Sequence, residues 1–155
     1  MDQQQDLAVI ARTIIDSNMY IVLGTADESG QPWVTPVYYA SARYREFYWV
    51  SSPEVRHSRN ITVRPQISIV IFDSRVPIGT GQGVYMSAIA EKLTGAALDR
   101  GIEIFSRTSL GHGGHEWKRE DVGESTLYRL YRATASEHWI RDPVARPDHR
   151  TPVTV

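Results

Sequence analysis

The segment Val50-Ser51-Ser52-Pro53-Glu54-Val55-Arg56-His57-Ser58-Arg59-Asn60 holds the densest set of groups able to do chemistry. A β-type run delivers two hydroxyls, Ser51 and Ser52, and then Arg56, His57 and Arg59 follow within two helical turns. Ser52 suits a helix N-cap and Pro53 the first helical position, where an amide would lack a partner anyway. A helix start presents free N–H groups and the positive end of the helix dipole, and both favour an anion. Hydroxyls, amides and guanidinium groups converging on three oxygens would hold a phosphate monoester. A capped surface helix with solvated basic residues has the same spelling. Glu54 fits both, since a carboxylate is favourable near a helix N-terminus with or without a ligand.

A second signal is Trp33-Val34-Thr35-Pro36-Val37-Tyr38-Tyr39. Pro36 cannot donate to a ladder, so it marks a bulge, an edge, or a place where another group approaches the backbone. A flat heteroaromatic ligand could use the ladder groups left unpaired; a bulged edge strand with core aromatics is the alternative. Gln82, within Gly81-Gln82-Gly83, carries both a donor and an acceptor on a loop that allows close approach, or else sits on a surface turn. His112 and His115 lie three apart with no third ligand spaced to join them, so a polar loop is expected there and no metal site. No nucleophile-elbow sequence and no paired carboxylates at a cleft are visible. The absence of cysteine removes disulfides, thiolate zinc sites, iron–sulfur clusters and cysteine nucleophiles.

These groups need a scaffold. Leu7, Ile10, Ala11, Ile14 and Ile15 form a helical stripe over 7–17, with Asn18 as a left-handed cap. Strand-forming runs occupy 19–26 and 33–39 around Asp27-Glu28-Ser29-Gly30, the signature of a hairpin. Further strands are expected at 46–51, 67–72 (nearly continuous in apolar character, hence central) and 84–93. Leu98, Ile102 and Phe105 indicate a helix over about 96–106. A loop follows over 108–123, and then a last strand or strand pair at 126–133 and 137–140. From Asp142 the tail carries Pro143, Pro147 and Pro152, so residues 142–155 read as an extended arm. About six strands with helices at irregular intervals predict a mainly β (α+β) fold, a small antiparallel barrel with helices packed outside. No glycine-rich dinucleotide fingerprint follows the first strand.

The 155 residues fit one domain, with no repeat and no dividing linker. Seventeen basic against eighteen acidic residues give a formal charge of −1, which argues against nucleic acid as a partner. No apolar run is long enough to span a membrane, and the polar start lacks a signal-peptide pattern, so a cytoplasmic protein is expected. Eight Tyr and four Trp are generous for this length and could serve a core, a subunit interface or a planar ligand.

Taken in order, the hairpin, the Pro-containing second strand, Phe47-Tyr48-Trp49-Val50-Ser51-Ser52, Arg56-His57-Ser58-Arg59-Asn60-Ile61, Arg64-Pro65-Gln66-Ile67-Ser68 and Gly83 to Leu93 resemble the pyridoxamine 5′-phosphate oxidase-like flavin-binding split barrels. The resemblance runs from about Leu7 to Leu93 and, more weakly, from Leu127 to Trp139. It implies a six-stranded antiparallel split β-barrel with flanking helices that binds FMN. By position it assigns the cofactor phosphate to Ser51, Arg56 and His57, with Ser52 and Arg59 alongside, and His57 stands where the family carries a lysine. Histidine is only partly charged near neutral pH, so phosphate affinity is expected to be weaker or pH-sensitive. Thr35, Pro36, Val37, Tyr38 and, within one residue of register, Gln82 fall where the family lines the isoalloxazine.

The family's homodimers carry flavins at the subunit interface, which implies a homodimer here. Trp139 then either contacts a flavin site, on its own or the partner subunit, or packs in the dimer. Glu137-His138-Trp139-Ile140-Arg141-Asp142-Pro143 does not match the family's substrate-phosphate pattern, so the expected substrate is a small molecule other than pyridoxamine phosphate. The resemblance points to an FMN-dependent oxidoreductase. A deazaflavin-dependent reductase of the same superfamily and a non-catalytic flavin- or haem-binding protein are the alternatives. No proton donor or base is assigned.

Overall fold

A computed structural model of the chain describes residues 3–142 and 146–155. Helix α1 (Gln3–Ser17) opens it, four residues earlier than the apolar stripe suggests, and buries Leu7, Ala8, Ala11 and Ile15. Asn18 does not take the left-handed conformation expected of it; its side-chain amide donates to the Ile14 carbonyl at 2.8 Å and closes the helix that way.

The hairpin β1 (Tyr20–Ala26) and β2 (Pro32–Tyr38) forms as expected. Asp27 Oδ1 accepts from the Ser29 and Gln31 amides, and Gly30 takes φ 88°. A short strand β3 (Ala40–Ala42) and a tight turn, with Arg43 and Tyr44 both at positive φ, lead into β4 (Glu46–Ser51). After helix α2 (Arg56–Val63) come β5 (Gln66–Phe72), β6 (Gly83–Lys92), helix α3 (Gly95–Gly111) and β7 (Arg129–Arg141). A last strand, β8 (Arg150–Pro152), pairs with the end of β7.

All pairings are antiparallel, in the order β2-β1-β5-β6-β7-β4-β3, with β8 added beside β7. The curled sheet and three helices make an α+β split barrel, with β5 internal as expected. Eight strands replace the expected six because β3 and β8, three residues each, are too short to leave a periodic signal. The two runs read at 126–133 and 137–140 are one long strand, bent by a register shift opposite Ser87/Ala88. Of the expected C-terminal arm, residues 143–145 lie outside the described residues, while 150–152 are tied into the sheet.

Two apolar clusters explain the aromatic run of β4. Phe47 and Trp49 point into the barrel core with α1, and Tyr48 points the other way, under α3 with Leu98, Ile102 and Phe105. Both faces of β4 are covered, so the strand does not alternate in polarity. Gly101 lets α3 close on this outer cluster: a Cβ there would lie 2.8 Å from Leu93 Cδ1 and 3.0 Å from atoms of Leu130 and Tyr48. Among the described residues, no helix is long and apolar enough to cross a membrane.

Candidate functional site

The chain leaves β4 at Ser51 and turns before entering α2. Ser52 is not the helix cap: its Oγ accepts from the Glu54 amide at 3.1 Å and stabilises a turn, and α2 begins at Arg56. Pro53 therefore sits in that turn and not at the first helical position. The position before the helix is Val55, with no side-chain cap. Among the described residues, no side chain caps the first turn of α2.

His57, in that first turn, is buried, and its Nε2 lies 2.8 Å from the buried Ser51 Oγ. Burial pushes the imidazole below the ordinary histidine range, so it is neutral at pH 7. Beneath the pair, Trp49 and Tyr131 stack with centroids 5.8 Å apart and planes 12° apart. Burial raises the Tyr131 hydroxyl, which stays protonated. Across the ladder from Ser51 stands Arg129, also buried. Its guanidinium donates to the carbonyls of Gly123, Thr126 and Tyr128, each at 2.8 Å, while its Nε has no partner among the described residues.

Arg56 and Arg59 are exposed. Arg56 lies over the Trp33 ring at 4.3 Å, which joins α2 to β2. Helix and hairpin are also locked from below, where the buried Asn60 donates to Thr25 Oγ1 at 3.0 Å. β2 is an edge strand, so Pro36 costs no ladder bond. The Tyr39 amide donates to the Met19 carbonyl, which fixes the parity of the β1–β2 ladder. Val34, Pro36 and Tyr38 therefore turn their backbone groups to the open side of β2. Thr35 is half-buried and Pro36 exposed, whereas the Val37 side chain is in the core and its backbone groups face Ile21 of β1, so Val37 is not placed to meet a ligand. Tyr38 reaches sideways: its hydroxyl lies 2.7 Å from His112 Nδ1, and its ring packs edge-on against Phe105 and Tyr20.

Gln82 and Trp139 occupy a different corner. Gln82 precedes β6, and its Oε1 is buried with no partner among the described residues. Trp139 pairs across from Tyr85 and lines a groove of about 1040 Å³ between α1, β7 and the C-terminal residues. Along β7 it is ten positions beyond Arg129, the partner of Ser51, which is roughly 34 Å of strand. The chain therefore brings together Ser51, Ser52, Arg56, His57 and β2, holds Trp139 away from Ser51, and sets Gln82 just before β6. Among the described residues, no group of His, Asp and Glu could hold a metal ion; His115 lies 3.8 Å from Asp121, and His112 is engaged by Tyr38. Sequence reasoning missed Arg129 and Tyr131 and set His112 in a polar loop, because their nearness to the site depends on strand register and on where α3 ends.

The sequence matches the family model described as pyridoxamine 5′-phosphate oxidase over residues 10–136. No curated protein matches it. Among solved structures, the chain is similar to a heme binding protein from Mycobacterium smegmatis at TM-score 0.71 and 18% identity, covering 92% of this chain and 56% of that one. It spans little more than half the length of that protein. It is also similar to HutZ, the heme storage protein of Vibrio cholerae, at TM-score 0.67 and 16% identity over 88% of this chain and 92% of that one. A FAD-binding protein from Mesorhizobium loti aligns at TM-score 0.67 and 17% identity over 86% and 90% of the two chains.

Proposed function

Because the chain belongs to the pyridoxamine 5′-phosphate oxidase family, matched over residues 10–136, we propose that it is an FMN-dependent oxidoreductase: one split-barrel domain working as a homodimer. The observation that carries this reading is the buried Ser51–His57 pair beside an uncapped helix start. Hydroxyl, imidazole, open amides and the Arg56 guanidinium form a donor set suited to a phosphate monoester. Ser52 and Arg59 lie at the rim, and Thr35, Pro36 and the outward backbone of β2 position the ring.

The separation of the Trp139 corner from this seat supports the dimer. In a two-fold assembly each copy can lend that corner to its partner. A bound flavin supplies the two-electron chemistry, and the chain binds it, orients it and limits water around it. The substrate is a small molecule other than pyridoxamine phosphate. A deazaflavin would use the same seat with a longer phosphate-bearing tail.

A haem- or flavin-binding protein without turnover is the second reading. It draws on the neutral imidazole of His57 and on the fold shared with the heme binding and heme storage proteins. Absorption spectra of the purified protein, with mass spectrometry of the released cofactor, test both. Flavin bands and the mass of FMN are expected. A Soret band would move the assignment to haem, and a deazaflavin mass to the other cofactor.

A further inference from the structure

A phosphate ester arriving at this seat meets a hydrogen bond already made. Ser51 Oγ and His57 Nε2 are 2.8 Å apart, and both residues are more than nine-tenths buried. With the imidazole neutral, a single proton lies between oxygen and nitrogen. If Ser51 supplies it, the hydroxyl has nothing left to donate to an ester. If the imidazole supplies it, His57 offers no positive charge to a dianion. A second proton on the imidazole removes the conflict: Nε2–H donates, and the Ser51 hydroxyl hydrogen turns toward the ester.

We infer that His57 is a proton-linked anchor: a phosphate monoester enters the seat together with one proton, taken from solvent by the imidazole. This rests on the reading of the seat as the cofactor-phosphate site. No covalent bond forms or breaks.

The surrounding charges are consistent with an imidazole that charges only when an anion arrives. Its own helix carries Arg56 and Arg59, and the preceding turn carries Glu54. β7 contributes the protonated Tyr131 and Arg129, whose guanidinium is paired with Glu124 at 3.3 Å. The one charged side chain of β4, Glu46, is at the far end of the strand and bound to Arg43 and Arg100. β1 and β2 carry no charged side chain. In β6, Glu91 is paired with Arg132 and Lys92 with Glu124. Burial thus keeps the free imidazole neutral, and a dianion beside it favours the charged form. Binding that takes up a proton weakens as pH rises, by at most about tenfold per pH unit.

The test is a titration with FMN, read by quenching of flavin fluorescence between about pH 6.5 and 8.5, where the free ester stays mostly dianionic. Riboflavin, His57→Lys and His57→Gln run in parallel, and calorimetry in two buffers of different ionisation heat counts protons taken up by the unmodified protein. Expected is a dissociation constant for FMN that rises about three- to tenfold per pH unit, with close to one proton absorbed. Riboflavin and the permanently charged His57→Lys should give flat profiles. Tight FMN binding with a flat profile and no proton uptake would overturn the anchor and leave the cofactor site standing. Failure of the unmodified protein to bind FMN at any pH would overturn the site itself.

Discussion

The Arg56 guanidinium lies 4.3 Å over the Trp33 ring, so the first turn of α2 is tied to the edge strand that would carry the flavin ring. The contact holds the cation at the rim of the phosphate seat without using its in-plane donors, which stay free for oxygen. Arg56→Ala should therefore weaken FMN binding by about 1.5–3 kcal/mol, roughly 10- to 150-fold, and leave riboflavin binding nearly unchanged. Trp33→Ala should cost less, since it releases the arginine without removing it. Fluorescence titrations of both variants with both flavins check this.

Asn60 and Thr25 form the lock beneath the same corner. Asn60→Ala leaves Thr25 Oγ1 without its buried donor and should cost about 1–3 kcal/mol, or a fall of several degrees in the thermal midpoint. Because α2 is held to the hairpin partly through this bond, FMN affinity should fall as well. Thermal unfolding with and without FMN separates the two effects.

Gly101 tests the outer core. Gly101→Val pushes into Leu93, Leu130 and Tyr48 and should destabilise the fold by about 1–3 kcal/mol. It should not change the FMN dissociation constant of the folded fraction, because α3 packs on the face of β4 opposite Trp49. Urea unfolding and a flavin titration at low temperature give the two numbers.

A composite site can be rebuilt from two damaged copies. Arg56→Ala and Gln82→Ala should each impair FMN binding alone. Mixed under conditions that exchange subunits, they should recover on the order of a quarter of the sites, because each mixed dimer then holds one intact seat and one doubly damaged seat. Stoichiometric titration of the mixture reads this directly, and no recovery would place Gln82 outside the site.

Much of this architecture was legible from local chemistry. The Asp27–Gly30 turn, the Pro36 edge and the continuous apolar run of β5 each carry a backbone reason that needs no distant partner. The start of α2 was misread because Ser52-Pro53 spells a cap equally well for a turn, and only the path out of β4 decides which amide Ser52 meets. The facing of Ser51 and Arg129 and the meeting of Tyr38 with His112 depend on register and helix length, which no single segment encodes. The Ser51–His57 pair lay in between: the residues were visible six positions apart, but their burial and mutual bond came from the turn that folds one over the other.

The central claim is that the turn between β4 and α2 seats a phosphate ester, and comparing FMN with riboflavin on the same protein tests it most directly. The two ligands share the ring and ribityl chain and differ only in the ester. The account predicts that FMN binds about 100-fold more tightly near neutral pH, the equivalent of one or two charge-assisted contacts. Equal dissociation constants for the two would contradict it.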